Sequence, residues 1–540
     1  VDGVTGTGYT VERGTTPDSF TAHLLGRVTD GVGPGIDMIM ADLSSPALTR
    51  AGGVWAGMSG SPVYAPDGRL IGSVSYGLAA SSTIAGITPA EDMMTLLKAA
   101  TPAPASASKI KVSSRQALRI AKTGEVSSAT AARGFTRLTV PVSVSGVPSS
   151  SSRFLKHLTK SAGLQVHTGG SRISAAASDP SEITAGGNFA AALSYGDVSI
   201  SGVGTTTFVC DGQAVAFGHP FFNSGPVEYT AHPATAVLIQ PDPVNGPFKV
   251  ANPGGPVGVI DQDKTLGLRT ELGATPAATF PVTSSLIPDG GAAVTGTTIG
   301  VYQPWAGDIS ALHLQANILK ALGAEGPGSA ALTFTIKGTR SNGKTFTLKR
   351  SDHYSDTSDV AYAAADQLYS IVSALAEQEF DNLKITSVNV TGTVSSTVKQ
   401  YRVTGVQVKE KGKWVTHKGV LRVTSGKLIP TLLTLTRYRS SATVKVPLTI
   451  KVPAGYEGAV GDLLISDGYD AGFSDADGSS SEPTTLTQLL AQLAALPPND
   501  AVAGTMTLDN GLKAKTTVTL KKTDATVSEF AKDISLQVKF

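Results

Sequence analysis

The sequence is poor in cysteine and in charge, and each shortage removes a class of protein. Cys210 is the single cysteine among 540 residues, so the chain has no internal disulfide framework and no cysteine-rich metal site. It ends the apolar, strand-like run Thr207-Phe208-Val209-Cys210, where a buried structural thiol is expected. Charged residues make up only 16% of the chain, with 44 basic against 42 acidic. Without a basic stripe to neutralise phosphates, nucleic acid is not an expected partner. No run approaches the roughly 18 uninterrupted apolar residues of a membrane-spanning helix. No cofactor or metal is expected, because the Asp-rich loop from Ser466 to Gly478 departs from EF-hand spacing and reads as solvated. The chain opens Val1-Asp2-Gly3 with neither Met nor a signal peptide, as a processed or trimmed protein would. Few charges among many Ser, Thr and Gly residues suit a secreted or otherwise extracytoplasmic protein.

What is plentiful points to β-structure. The 59 glycines and 30 prolines, with abundant Thr, Ser and Val, fit short strands joined by turns. A chain of this length exceeds a single core. Strands and turns fill residues 1–97, with a short helix expected from Thr88-Pro89-Ala90-Glu91, where Thr would cap and Pro fits the first turn. Residues 98–185 read as an Ala/Pro/Ser linker followed by a small α/β insertion. That insertion holds the extended run Leu138 to Val144 and an amphipathic helix over 149–162. Strands resume over 186–290. Residues 291–540 read as β-sandwich-like modules with helices near 318–322, 361–376 and 486–496. Their strands are alternating runs such as Leu332 to Ile336 and Ala442 to Leu448.

One stretch carries chemistry. Gly57-Met58-Ser59-Gly60-Ser61-Pro62 leads to a turn at Pro66-Asp67-Gly68, a strand from Leu70 to Tyr76, Gly77, and then Gly86-Ile87-Thr88-Pro89. Small residues around a serine let the backbone fold tightly, so that N–H groups converge while the hydroxyl projects outward. Acyl transfer needs a nucleophile beside such oxyanion donors. Ser59 is the expected nucleophile, with the amides of Gly57 and Ser59 as donors. Val74, Ser75 and Tyr76 would pair with an extended substrate, and Gly77 would keep the pocket mouth open. Ser61, ahead of Pro62, is the rival serine. A base must take the hydroxyl proton, and His219 fits best among eight histidines: it follows the apolar strand Ala214 to Phe217 and Gly218, and a rigid Pro220 comes next. His232 is its main competitor, and His23 reads as a surface residue.

The Ser59 region resembles the nucleophile region of chymotrypsin-fold peptidases. It resembles more closely the sporulation stage IV B peptidase family, in which Gly-Met-Ser-Gly-Ser-Pro, an upstream Gly-Gly (here Gly52-Gly53) and a downstream Gly-Ile-Thr-Pro recur. Gly33-Pro34-Gly35-Ile36-Asp37 is similar to that family too. The resemblance covers roughly 1–97 and 186–290. It implies a mainly β, chymotrypsin-like double β-barrel, with Ser59 in one half and His219, in a Gly-His motif, in the other. It also implies an orienting acid near Asp42, with Asp37 and Asp263 as alternatives. In the family histidine precedes serine, whereas here Ser59 comes first, so the arrangement would be circularly permuted. Two readings follow: a serine endopeptidase acting on proteins, its own chain included, or a protease-like scaffold without turnover that serves binding or structure.

Overall fold

The computed structural model describes residues 3–79, 81–98, 108–148, 151, 154–155, 165–468 and 483–539. The chain is mainly β and forms two compact units, residues 1–281 with 297–303, and residues 282–296 with 304–540. The first unit combines the stretches read separately as 1–97 and 98–185 with 186–281 of the stretch read as 186–290, whose last nine residues belong to the second unit.

The first unit contains two six-stranded antiparallel barrels. The first comprises β1 (Thr5–Thr10), β2 (Asp18–Gly33), β3 (Ile36–Ser44), β4 (Pro62–Tyr64), β5 (Leu70–Gly77) and β6 (Ile84–Pro89). Its order is β1-β2-β3-β6-β5-β4, and β4 closes the ring by pairing back to β1. Closure removes the exposed edges that an open sheet would offer. Inside lie Phe20, Leu24, Trp55, Met58, Val63, Val74 and Ile87. The Phe20 ring lies flat across Gly8, where any side chain would stand 2.2 Å from it.

The insertion contributes β7 (Lys109–Ile110), β8 (Phe135–Arg137), β9 (Pro141–Ser145) and β10 (Gln165–Thr168). A helix over Ser114–Ala121 is started by a capping box between Ser113 and Gln116. It buries Ala117 and Ile120 against a second patch of the first barrel that includes Met38 and Tyr76. The amphipathic helix expected over 149–162 lies largely outside the described residues. So does most of the Asp-rich loop.

The second barrel consists of β11 (Asn188–Gly196), β12 (Ser199–Cys210), β13 (Gln213–Ala216), β14 (Gly225–Gln240), β16 (Gly258–Lys264) and β17 (Gly267–Leu272). β15 (Phe248–Pro253) pairs with β14 outside the ring. The order is β11-β12-β13-β17-β16-β14, and β14 returns to β11. Cys210 is exposed, which corrects the buried thiol expected there. It is the last residue of β12, and the chain turns over at Asp211-Gly212, both at positive φ. Asp211 raises the affinity of the thiol for its proton.

In the second unit, the strand Lys384–Ser395 runs parallel to Val282–Pro288 and antiparallel to Gly328–Thr339, which in turn pairs with Thr345–Asp356. Helices Ala306–Leu322 and Val360–Ala376 pack together, close enough that a side chain on Gly307 would meet Ser373 Oγ at 2.0 Å. Sequence reading located only the end of the first helix. That helix is buried nearly all round and includes Asp308, Ser310, His313, Gln315 and Asn317, so it lacks an amphipathic period. The runs around 332–336 and 442–448 lie in strands Gly328–Thr339 and Thr443–Lys451, and the third helix spans Leu486–Ala495. Two five-stranded sheets follow residue 400. Their inner faces share a core with Leu433, Leu448, Ile450, Leu463, Met506 and Val538, as in a β-sandwich.

Candidate active site

Ser59 sits in a loop clamped on both sides. Upstream, Ser45 caps a short helix over Pro46–Ala51 that ends at Gly52, φ 82°. Gly53, φ 140°, passes so close to the Ser82 backbone that a Cβ would stand 2.8 Å from it, which explains the double glycine. The loop then folds on itself, with Met58 N–H donating to Trp55 O and Ser61 N–H to Met58 O. From the first barrel, Val74 O accepts from Gly60 N–H at 2.8 Å. From the second, Thr205 N–H donates to Ser59 O at 2.8 Å, Thr205 Oγ1 to Gly57 O, and Thr207 Oγ1 to Gly60 O. Gly57 and Gly60 adopt φ of 96° and 95°, in the left-handed region that glycine tolerates best. Among the described residues, neither the Gly57 nor the Ser59 N–H donates to another protein group. Ser61 turns away, its hydroxyl donating to Met58 O at 2.7 Å.

His219 comes from the second barrel. After β13, Phe217 and Gly218 both take positive φ, 71° and 67°, and throw the next residue back toward the first barrel. Thr88 holds the turn by donating its hydroxyl to Gly218 O at 2.8 Å. Thr88 therefore lies within β6 and does not cap a helix. The helix starts at Ala90, with Pro89 at its cap position and no side-chain capping bond. Behind His219, the Asp263 carboxylate accepts the N–H groups of Phe221 at 2.8 Å and Phe222 at 2.7 Å.

His219 Nε2 lies 2.9 Å from Ser59 Oγ, and its Nδ1 lies 2.8 Å from Pro220 O. A carbonyl can only accept, so Nδ1 carries the proton in the neutral ring. Nε2 is then the acceptor, and Ser59 donates to it. Burial, the charge of Arg137 and, opposing them, the Pro220 carbonyl bring the imidazole pKa down to about 3. The ring is therefore neutral at any physiological pH. Both groups are enclosed, Ser59 being 0% and His219 1% exposed.

The remaining candidates are dispersed. The Asp42 carboxylate accepts from Thr83 Oγ1 at 2.7 Å and is not among the partners of His219, so the structure does not bring it to the pair. Asp37 pairs with Arg27. Asp263 reaches the loop backbone and not the imidazole, and burial raises its pKa while those N–H bonds oppose the rise. His232 bonds Gly254 O and Thr230 Oγ1, away from either serine. His23 is exposed in β2. Val74, Ser75, Tyr76 and Gly77 form the last half of β5, beside the loop.

Sequence reasoning missed the Pro220 carbonyl, because every residue carries one. It also missed Lys249, whose N–H donates to Ala56 O and whose buried Nζ donates to Asn188 Oδ1 at 2.9 Å. Burial lowers the pKa of that amine to about 7. Among the described residues, no group of three or more His, Cys, Asp or Glu is placed to hold a metal ion. Nor is any helix long and apolar enough to cross a membrane. Compared with known proteins, the chain matches no family model, no curated protein and no solved structure.

Proposed function

We propose that the chain is a serine endopeptidase, with Ser59 as nucleophile and His219 as general base, on a permuted chymotrypsin-like double barrel similar to the sporulation stage IV B peptidases. The observation that carries this reading is the 2.9 Å contact of Ser59 Oγ with His219 Nε2, in the tautomer enforced by Pro220 O. In the proposed reaction, Ser59 Oγ attacks the substrate carbonyl and passes its proton to Nε2, while the amides of Gly57 and Ser59 receive the oxyanion. His219 then protonates the leaving amine, and water hydrolyses the acyl-enzyme. A carbonyl in place of a carboxylate holds the ring but does not neutralise the imidazolium, so turnover should be slower than with a full triad. Low charge and abundant Ser, Thr and Gly support an extracytoplasmic setting, with proteins or peptides as substrates.

The second reading is a protease-like scaffold for binding, favoured by the enclosure of Ser59 and by the lack, among the described residues, of a carboxylate hydrogen-bonded to His219. A fluorophosphonate probe separates the two. The peptidase reading expects covalent labelling at Ser59, located by mass spectrometry and absent in Ser59→Ala. Folded protein that stays unlabelled after prolonged exposure would support the scaffold.

A further inference from the structure

The strand edge beside the Ser59 loop is occupied by another part of its own chain. β8 lies antiparallel on β5, with Arg137 opposite Tyr76 and Thr136 opposite Gly77. The Leu138 N–H then donates to Ser75 O at 3.0 Å. This is the strand edge that the sequence marks for an extended substrate, and strand addition supplies main-chain bonds while side chains select. Leu138 packs against the core of the first barrel. Its Cδ2 stands 3.0 Å from where a Cβ on Gly77 would lie, so the absent side chain is what admits it. Val140 is buried, with Cγ1 2.6 Å from where a Cβ on Gly202 would lie. β9 then pairs with β12 of the second barrel. Within three residues, Leu138 to Val140, the chain passes from the edge of one barrel to a strand of the other. β12 is also the strand whose Thr205 N–H holds Ser59 O.

We propose that residues 135–140 are an internal pseudo-substrate that keeps Ser59 latent. Leu138 would occupy the place of the side chain on the acyl side of the scissile bond, so the preferred substrates are extended peptides with a bulky aliphatic residue there. The proposal rests on the Ser59 nucleophile reading. It does not require the segment to be cut, only to leave.

The test compares fluorophosphonate labelling rates of the full-length wild type and Leu138→Asp, with folding checked by circular dichroism. A charge in the apolar site should loosen the segment and speed labelling of Ser59 about tenfold or more, because the open state ceases to be a minor one. A peptide copying residues 133–140 should then slow labelling of the variant, and the same peptide carrying Leu138→Asp should not. Equal rates in wild type and variant, or competition by both peptides, would overturn the pseudo-substrate and leave the nucleophile reading standing. Absence of labelling in every folded protein would remove the nucleophile reading itself. If Leu138→Asp does not fold, Leu138→Ala removes the packing without adding charge and is judged by the same outcomes.

Discussion

At the scale of single residues, the chemistry turns on which groups touch the imidazole. Arg137 lowers the proton affinity of His219 by repelling a second positive charge, after the larger effect of burial. Arg137→Ala should therefore raise the His219 pKa, read as an upward shift of the acid limb in the labelling–pH profile. Asp263 works one step back. Asp263→Asn would set an amide donor against backbone N–H groups, at a cost of about 1–3 kcal/mol measurable by chemical denaturation. The labelling rate should fall with it as the His219 loop loosens. Asp42→Asn should leave the labelling rate unchanged, since its carboxylate serves Thr83. Ser59 and His219 were legible because each sits in a local pattern of small residues or a rigid turn whose geometry is set by its neighbours. The orienting group was not. A backbone carbonyl has no signature in sequence, and the eye turns to acids instead.

At the scale of elements, the Ser59 loop is held tightly between the two barrels. A methyl group on Gly60 would stand 2.0 Å from Thr205 O and 2.5 Å from Phe217 N, at a φ of 95°. Gly60→Ala must move the Ser59 loop or the second-barrel backbone it lies against, and a loss of more than about 3 kcal/mol is expected in denaturant titration. Labelling should be lost as well, because the same shift displaces Ser59 from His219. Leu138 to Val144 was read as one extended run. It divides instead into a crossing piece and β9, because its partners are a strand earlier in the chain and one later. Register between distant strands depends on which edges remain open after closure, and periodicity does not encode it. The helix over Ala306–Leu322 was hidden for the opposite reason, since burial on every side erased its stripe.

At the scale of the molecule, the buried titratable groups give stability a pH dependence of definite sign. His219 and His232 are held near pKa 3 and 4 by burial. The unfolded chain takes up protons on both below about pH 6.5, and the folded chain does not, so stability rises with pH across that window. It should fall from about pH 6.5 down to about 4 for His232 and about 3 for His219. Lys249, lowered to about 7, adds a loss that is complete once the pH has dropped from about 10.5 to 7. Denaturant midpoints at pH 7 and pH 4.5 should differ less in His232→Asn than in wild type, which isolates that histidine from carboxylates acting in the opposite sense. The two barrels, one bearing serine and one histidine, were expected from the family resemblance, while the pattern of short strands and turns pointed only to β-structure on both sides of the insertion. The closing pairs, β4 with β1 and β14 with β11, are non-local and emerge only in three dimensions.

The crossing from β8 to β9 is anchored at both ends, on β5 and on β12. An occupant tied this way has an effective concentration in its own cleft on the order of millimolar, whatever the dilution of the protein. A free peptide of similar intrinsic affinity must approach that concentration to compete. Cleavage on one side leaves the segment tethered by the other and only lowers that concentration, whereas cleavage on both sides releases it to bulk solvent. A pair of nicks flanking the segment would thus act as an irreversible concentration switch, without requiring any rearrangement of Ser59 or His219.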